Sequence, residues 1–341
     1  MSKKTTMQDI ADSLGVSRIT VWKALNDQTG VSEAVKAQVL ELASRLGYAR
    51  RPLQKTAALS SADEKNVSVI VSRPESSVFW TSIIHRIAKE LSKSDINLLY
   101  TYVPSSVESE YQLPAALTNG TIQGAIILNV YDAHLLRLID QLEIPKVYLD
   151  TVTSISTYDL NGDVLLLEGY ENIRRITGLM LDRGRTQLGF IGDIDYARTN
   201  HDRYEGFLAA LADRGISPRP EFCMTESFNV HDYYQQIARF LDHLKKYPQG
   251  FVCASDDVAY FVLQHSKEKG IRVPQDLALS GFDGCSNYNG SSDFLTTVDV
   301  QTSLLGKRLA RQLLYRIENP SADFELIYLN SRIKEGPSTE I

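Results

Sequence analysis

The side chains best suited to chemistry in this 341-residue chain are unevenly distributed. Nine cations (Lys3, Lys4, Arg18, Lys23, Lys36, Arg45, Arg50, Arg51 and Lys55) fall in the first sixty residues, against Asp9, Asp12, Asp27, Glu33 and Glu41. That segment carries +4 and the remainder −10, within a net charge of −6. A small basic module on an acidic body is the layout expected when one end meets nucleic-acid phosphates and the body adds none. Catalytic groups show no comparable order. His85, His134, His201, His231, His243 and His265 form no H-E-x-x-H pattern and no metal-ligand spacing. There is no G-x-S-x-G, no G-x-x-x-x-G-K, and no G-x-G-x-x-G after a strand. Ser255-Asp256-Asp257 sets two carboxylates side by side, but adjacent acids at a helix start more often serve as cap and dipole partner. Cys223, Cys253 and Cys285 are odd in number and far apart, which suits small core residues in a reducing compartment. The expectation is therefore no enzyme, no catalytic residue, no metal and no cofactor.

The elements that must carry the basic module are three short helices. Thr6 with Asp9 forms a capping arrangement, after which Met7, Ile10, Ala11 and Leu14 recur at helical spacing until Gly15. Ser17 caps a second helix with Val21 and Leu25 facing inward. Ser32 caps a third, with Val35, Val39, Leu42, Ala43 and Leu46 apolar and Gly47 closing it. Two helices across a tight glycine turn make a helix-turn-helix, though this pattern alone also fits a generic three-helix bundle.

The detail is more specific. MQDIADSLGVSRITVWKALND followed by VSEAVKAQVLELASRLGY resembles the DNA-binding domain of the LacI/GalR family of repressors, almost continuously from Thr6 to Tyr48. The resemblance implies a second helix lying in the major groove. It implies a DNA-contacting set of Thr6, Ser17, Arg18, Ile19, Thr20, Lys23, Asn26 and Tyr48. In that set Arg18, Ile19 and Lys23 reach base edges, while Ser17, Thr20 and Asn26 touch phosphates. Arg and Lys can pair with guanine acceptors, and Ile meets a thymine methyl or supplies shape. Trp22 departs from the usual small serine; it either packs beside the DNA backbone or shields the bundle. The following ARRPLQKTAALSS takes the place of the family's hinge helix. Pro52 can start that helix, but Ala57 stands where the family wedges a leucine into the minor groove, and alanine is a poor wedge.

From Asn66 onward, β-rich runs such as VSVIVS, GAIILNV, KVYLD, LGFIGD, FVCAS and LALSGFD alternate with amphipathic stretches. That alternation predicts parallel sheets covered by helices. The units are too many for one compact sheet, so two lobes are expected, with a ligand site beyond the carboxyl ends of the strands. TIQGAIIL, EIPKVYLD, DRGRTQLGFIGD, RYEGFLAAL, SDDVAY, IRVPQDLALSGFD and LTTVDV resemble the same family's effector-binding core, which is similar to periplasmic sugar-binding proteins. The resemblance implies three crossings between lobes, near Asn161, Val298 and Pro320. It places Arg203 where a planar fork bonds ligand oxygens, and Asp283 where a carboxylate accepts from sugar hydroxyls. Ser255 stands where asparagine is frequent. Phe79, Trp80 and Phe228 stand at strand-to-helix turns and either stack on a pyranose ring or pack in the core. Ser77-Val78 replaces the usual Asn-Pro, and Glu168-Gly169 the usual Asp-Asn.

The whole reading is an N-terminal all-α helix-turn-helix domain plus an α/β two-lobed periplasmic-binding-protein-like core with parallel sheets. The expected divisions are 1–50 for the DNA-binding domain and 51–65 for the hinge. The first lobe takes 66–161 and 299–320, the second 162–298 and 321–341. The expected function is repression of carbohydrate-utilisation genes by a homodimer on a palindromic operator of double-stranded DNA, under a small-molecule effector, a sugar. A cytoplasmic location follows from an N-terminus that turns polar after two lysines and from the lack of a membrane-length apolar run. A transport-type binding protein is the rival that the core alone would suit.

Overall fold

The computed structural model describes residues 7–25, 31–45, 65–72, 78–228, 232–285 and 293–340. The chain forms two units, residues 1–63 and 64–341. In the first, α1 (Met7–Leu14), α2 (Arg18–Leu25) and α3 (Glu33–Arg45) are the three expected helices. Ile10, Ala11, Val21, Ala24, Leu25, Val39, Leu42 and Ala43 form their buried core. Gly15 takes φ +63°, a left-handed turn that glycine adopts without a Cβ penalty. The Ser17 hydroxyl accepts from the Thr20 amide at 3.0 Å, and the Ser32 hydroxyl from the Val35 amide at 3.4 Å, so both serines cap. Thr6, Leu46, Gly47 and the hinge segment with Pro52 and Ala57 lie outside the described residues.

The second unit begins with β1 (Lys65–Val71), α4 (Val78–Leu91), β2 (Ile96–Tyr102), α5 (Ala115–Thr118), β3 (Ala125–Leu128), α6 (Ala133–Asp140), β4 (Lys146–Leu149) and β5 (Asp163–Leu167). It continues through α7 (Tyr170–Asp182), β6 (Leu188–Ile191), α8 (Arg198–Ala212), α9 (Tyr233–His243), β7 (Gly250–Cys253), α10 (Asp256–Glu268) and β8 (Ala278–Ser280). Last come β9 (Thr297–Asp299), α11 (Thr302–Glu318), β10 (Leu326–Leu329) and β11 (Arg332–Lys334).

One sheet is six-stranded and parallel, in the order β10-β5-β4-β3-β1-β2. Its central strands are buried on both faces, as helix-covered parallel strands must be. The period-2 alternation divides them cleanly. Val67, Val69, Val71, Leu165 and Leu167 pack under α4 and α11, while Ile70, Val164 and Leu166 face α6. A second sheet is β6-β7-β8, also parallel, extended by single bridges to Met224 and Thr296. Leu188, Phe190 and Val252 pack against α7 and α8; Ile191, Phe251 and Cys253 against α9 and α10. Among the described residues no helix is long and apolar enough to cross a membrane.

The lobe boundaries differ from those expected at 161 and 320. β5 and β10 both belong to the first sheet, so the chain leaves the first lobe after Leu167, and again after Leu329. Asn161 and Pro320 mark turns that precede strands, not crossings. Asn161 is pinned to Asp140, its amide N and Nδ2 each donating at 2.7 Å. A buried ion pair explains why both strands stay. The Asp163 carboxylate on β5 receives Arg316 Nη2 at 2.5 Å, Gln312 Nε2 at 2.7 Å and the Glu325 amide at 2.8 Å, tying α11 and the start of β10 to β5. A buried charge persists when its partners are supplied this fully. β9 lies in the second lobe, paired antiparallel with β11, and α11 returns to the first, a crossing between Asp299 and Thr302.

Candidate functional site

In the DNA-binding unit the second helix starts on a polar knot. The Ser17 and Thr20 hydroxyls are 2.8 Å apart, and Ser17 is exposed while Thr20 and Lys23 are half-buried. Ser17 thus has two uses, capping α2 and presenting a hydroxyl at the helix N-terminus, where backbone N–H groups and the dipole favour an anion. Of the expected contact set, Thr6, Asn26 and Tyr48 lie outside the described residues, as do the side chains of Arg18, Ile19 and Trp22.

In the core, three expected residues come together at strand ends. Arg203, in the second turn of α8, is 5% exposed. Its Nη1 donates to the carbonyl of Ala254 at 2.6 Å and to Asn200 Oδ1 at 3.2 Å, and its guanidinium carbon sits 3.6 Å from the centre of the Phe282 ring. Its Nε is buried with no partner. Ala254 precedes Ser255 and Phe282 precedes Asp283, so the arginine bridges the carboxyl ends of β7 and β8. A Cβ at Gly169 would fall 2.9 Å from Arg203 Cγ, which accounts for glycine at the first crossing. Its neighbour Glu168 is spent on α7, its carboxylate accepting from the amides of Glu171 and Asn172 at 2.7 and 3.0 Å. The Ser255 hydroxyl caps α10, accepting from the Val258 amide at 3.2 Å; its own proton remains to be donated.

Asp283 has φ 118°, a conformation L residues rarely adopt. Its backbone is held to β9 by hydrogen bonds with Val298 and Val300 at 3.0 and 3.2 Å. Among the described residues nothing donates to its carboxyl. Burial pushes that carboxyl up to about 7, opposed by the charge of Arg203 and reinforced by Asp257. Asp256, 1% exposed, is pushed up to about 8 by burial and then by Asp283, although Thr297 Oγ1 donates to it at 2.6 Å. The corner therefore holds a buried cation beside two carboxyls that resist ionisation, an arrangement able both to donate to and accept from a neutral polar ligand.

The aromatics fall differently. Phe79 is buried in the first-lobe core with Ile83 and Ile87, the packing alternative of the two expected for it, and meets Trp80 edge-on at 5.1 Å. Trp80 is half-buried against the same cluster. Phe228 packs edge-on to Tyr233 at 4.9 Å, while its amide donates to Asp193 Oδ2 at 3.4 Å.

Sequence reasoning missed the groups that join the lobes. Asp150 follows β4 with φ 69°, and Asn129 follows β3 with φ 53°. Asp150 accepts from Thr199 through both hydroxyl and amide, from the Thr151 amide at 2.8 Å, and from Tyr131 Oη at 3.4 Å. Arg198 N donates to the Thr151 carbonyl at 2.8 Å, and Tyr196 Oη to Asn129 Oδ1 at 2.8 Å. The Tyr131 and Tyr196 rings lie 4.4 Å apart. Asp150, Asn129 and Tyr131 belong to the first lobe, Tyr196 and Thr199 to the second. Thr199 is one turn before Arg203 on α8, so the interlobe contact and the arginine share a helix face.

A helix-turn-helix unit followed by two parallel-sheet lobes, with polar groups converging at strand ends, defines a ligand-responsive DNA-binding regulator. Residues 6–51 match the bacterial regulatory proteins of the lacI family, and residues 177–339 match the periplasmic binding protein-like domain. The chain is 28% identical over 347 residues to the HTH-type transcriptional regulator RegA of Clostridium saccharobutylicum, covering 98% of this chain and 99% of that protein. It is 25% identical over 335 residues to the HTH-type transcriptional repressor PurR of Photorhabdus laumondii, with 98% and 96% covered. Among solved structures, a complex of the transcriptional regulator CelR with cellobiose superposes with a TM-score of 0.70 at 19% identity, covering 98% of this chain and 99% of that one. The lac repressor dimer bound to operator and the anti-inducer ONPF gives 0.66 at 18%, with 99% of both covered. The chain thus carries a lacI-family regulatory domain and a periplasmic binding protein-like domain, and the relatives it matches are transcriptional regulators.

Proposed function

We propose that this regulator is a repressor of carbohydrate-utilisation genes that binds a near-palindromic operator as a homodimer and responds to a sugar or sugar derivative at Arg203 and Asp283. The observation that carries the effector assignment is the pairing of the buried Arg203 guanidinium with an Asp283 carboxyl that no described residue donates to. A vicinal diol offers one oxygen to accept from an arginine and a hydroxyl to donate to a carboxylate. A buried Arg203 Nε without an acceptor, beside a buried carboxyl to which no described residue donates, is otherwise costly. Ser255, with a free proton, supplies a third contact, and Trp80 and Phe228 supply partly accessible ring faces. The dimer follows from size: one helix-turn-helix buries little surface, and two related by a twofold axis read adjacent half-sites.

On DNA, Arg18, Ile19 and Lys23 contact base edges; Ser17, Thr20 and Asn26 contact phosphates, with Thr6 and Tyr48 at the ends of the footprint. Lys23→Ala should cost about 1–3 kcal/mol on operator and relax base preference at one position per half-site. Thr20→Ala should weaken specific and random DNA alike. Isothermal calorimetry of the full chain against sugars and purines tests the effector class. Heat with a sugar, lost in Arg203→Ala, supports the reading. Heat with a purine and none with any sugar would replace the sugar while keeping the regulator.

A further inference from the structure

The carboxyl ends of the core strands are rich in acids, and those acids occupy the places an anionic ligand would need. A helix N-terminus offers unpaired N–H groups and a favourable dipole, a ready-made seat for a phosphate or a carboxylate. Four helices, α6, α7, α8 and α10, each follow a strand of one of the parallel sheets, so their N-termini stand at the strand ends. Every one of these four seats holds a carboxylate of the chain itself. At α6, Asp132 accepts from the Leu135 amide at 2.8 Å. At α7, Glu168 accepts from the amides of Glu171 and Asn172. At α8, Asp150 reaches over from the first lobe to accept from the Thr199 amide at 3.3 Å. At α10 the Ser255 hydroxyl takes the Val258 amide, while Asp256 and Asp257 fill the first turn. Asp193, after β6, likewise accepts from the amides of Asp195 and Tyr196 at 3.1 and 3.0 Å.

The charge balance around Asp283 points the same way. Beyond burial, the charges acting on its carboxyl among the described residues are the cation of Arg203 and the anion of Asp257. The Arg203 guanidinium is already engaged by the Ala254 carbonyl, Asn200 and the Phe282 ring. The Cys285 thiol, two residues on, registers the surplus of acids. Burial and then the carboxyls of Asp283, Asp256, Asp257 and Asp299 push it up to about 12. A sugar hydroxyl can donate to Asp283 and accept from Arg203 at once. An ionised carboxylate can only accept, and an anion of either kind would have to sit among the carboxyls of the chain.

We propose that the effector carries no negative charge: the site takes an unphosphorylated sugar, and its own carboxylates reject sugar phosphates and sugar acids. The inference rests on the sugar-effector reading above and narrows it. A regulator of this kind answers to the substrate of a sugar-phosphorylating step and ignores its product.

The test is calorimetry of the full chain at pH 7 against matched sets: glucose, glucose 6-phosphate and glucuronate; ribose and ribose 5-phosphate; cellobiose and cellobionate; with hypoxanthine and guanine alongside. A neutral sugar should bind, and its charged counterpart should bind about 100-fold more weakly, the repulsion expected of one charge pair roughly 6 Å apart in partly buried surroundings. Asp257→Asn removes a charge that acts on Asp283 and keeps the side chain's size. With a thermal midpoint matching the parent's, it should raise affinity for the charged member about fivefold and leave the neutral sugar within about twofold. A sugar phosphate or sugar acid that binds the parent chain as tightly as its neutral counterpart would overturn the inference while the sugar reading stands. So would an unchanged preference in Asp257→Asn. Binding of a purine with no sugar, or no heat with any member of the panel, would remove the sugar reading and this inference with it. Should the variant fail to fold, the matched sets on the parent chain alone decide.

Discussion

Asp150 and Asp283 occupy matching places in the two lobes and do different work. Each follows a buried strand of a parallel sheet, each has a positive φ, and burial raises the pKa of each. Asp150 is surrounded by donors from its own lobe and from across the cleft. Among the described residues Asp283 is held only through its backbone, and the groups acting on its carboxyl are the charges of Arg203 and Asp257. The first carboxylate is spent on structure; the second keeps the acceptor capacity that the proposed effector would use. Polar satisfaction separates a fastening from a binding group where residue type, burial and backbone strain do not.

The largest effect that would break this contrast is on stability. Asp150→Ala leaves the amides of Thr151 and Thr199 and two hydroxyls without their acceptor, and should cost about 2–4 kcal/mol in urea denaturation. A loss under 1 kcal/mol would mean that the interlobe hydrogen bonds do not hold the lobes. Next in size, Asp283→Asn should not lower the urea midpoint, yet it should weaken binding of the proposed sugar at least tenfold, about 1.4 kcal/mol. A variant that unfolds early but binds normally would reverse the two assignments.

Much of this was legible from residue order, and the exceptions have physical causes. The three N-terminal helices were readable because caps and i, i+4 apolar spacing are local signals, and Ser17, Gly15 and Ser32 act as their types suggest. Arg203, Ser255 and Asp283 came from family likeness, and the fold brings them together at strand ends. Phe79 was read as either a stacking ring or a core residue; it stands four and eight residues before Ile83 and Ile87, the spacing of a buried helix face. The crossings were misplaced because turn residues mark where a strand begins and say nothing of which sheet it joins; a buried Arg316–Asp163 pair, distant in sequence, decides that. Asp150 and Thr199 lie 49 residues apart, so their contact was invisible. An Asn or Asp closing a buried strand, as Asn129 and Asp150 do, was the signal available.

A smaller effect should appear with pH. In an unfolded chain the carboxyls of Asp256 and Asp283 titrate near 3.9, but in the folded protein they keep their protons to about 8 and about 7. The folded state therefore binds more protons over that interval. The contribution of these groups is full below about pH 4 and is lost as pH rises through 7 and 8. Urea midpoints should fall between pH 5 and 8.5, and Asp283→Asn should flatten part of that fall. A sugar hydroxyl donating to Asp283 favours its ionised form, so binding near pH 7 should release a fraction of a proton. Calorimetry in buffers of different ionisation enthalpy reads this directly, and a buffer-independent heat would place the ligand elsewhere.

The smallest effect tests the fastening side alone. Tyr196→Phe keeps the ring against Tyr131 but removes the hydroxyl that donates to Asn129 across the lobes. One neutral hydrogen bond is worth about 1 kcal/mol, so the urea midpoint should drop only slightly, and sugar affinity at Arg203 should change by less than the stability does. The informative quantity is the change in operator affinity caused by a bound effector. A ligand acts on DNA binding only through its preference between lobe arrangements. Weakening a protein-made interlobe bond alters that balance without touching the ligand. Tyr196→Phe should therefore shift the ligand-free operator affinity, and the ligand-bound affinity should move less. If both move equally, the Tyr196–Asn129 bond is indifferent to lobe arrangement, and the fastening rests on Asp150 and Thr199.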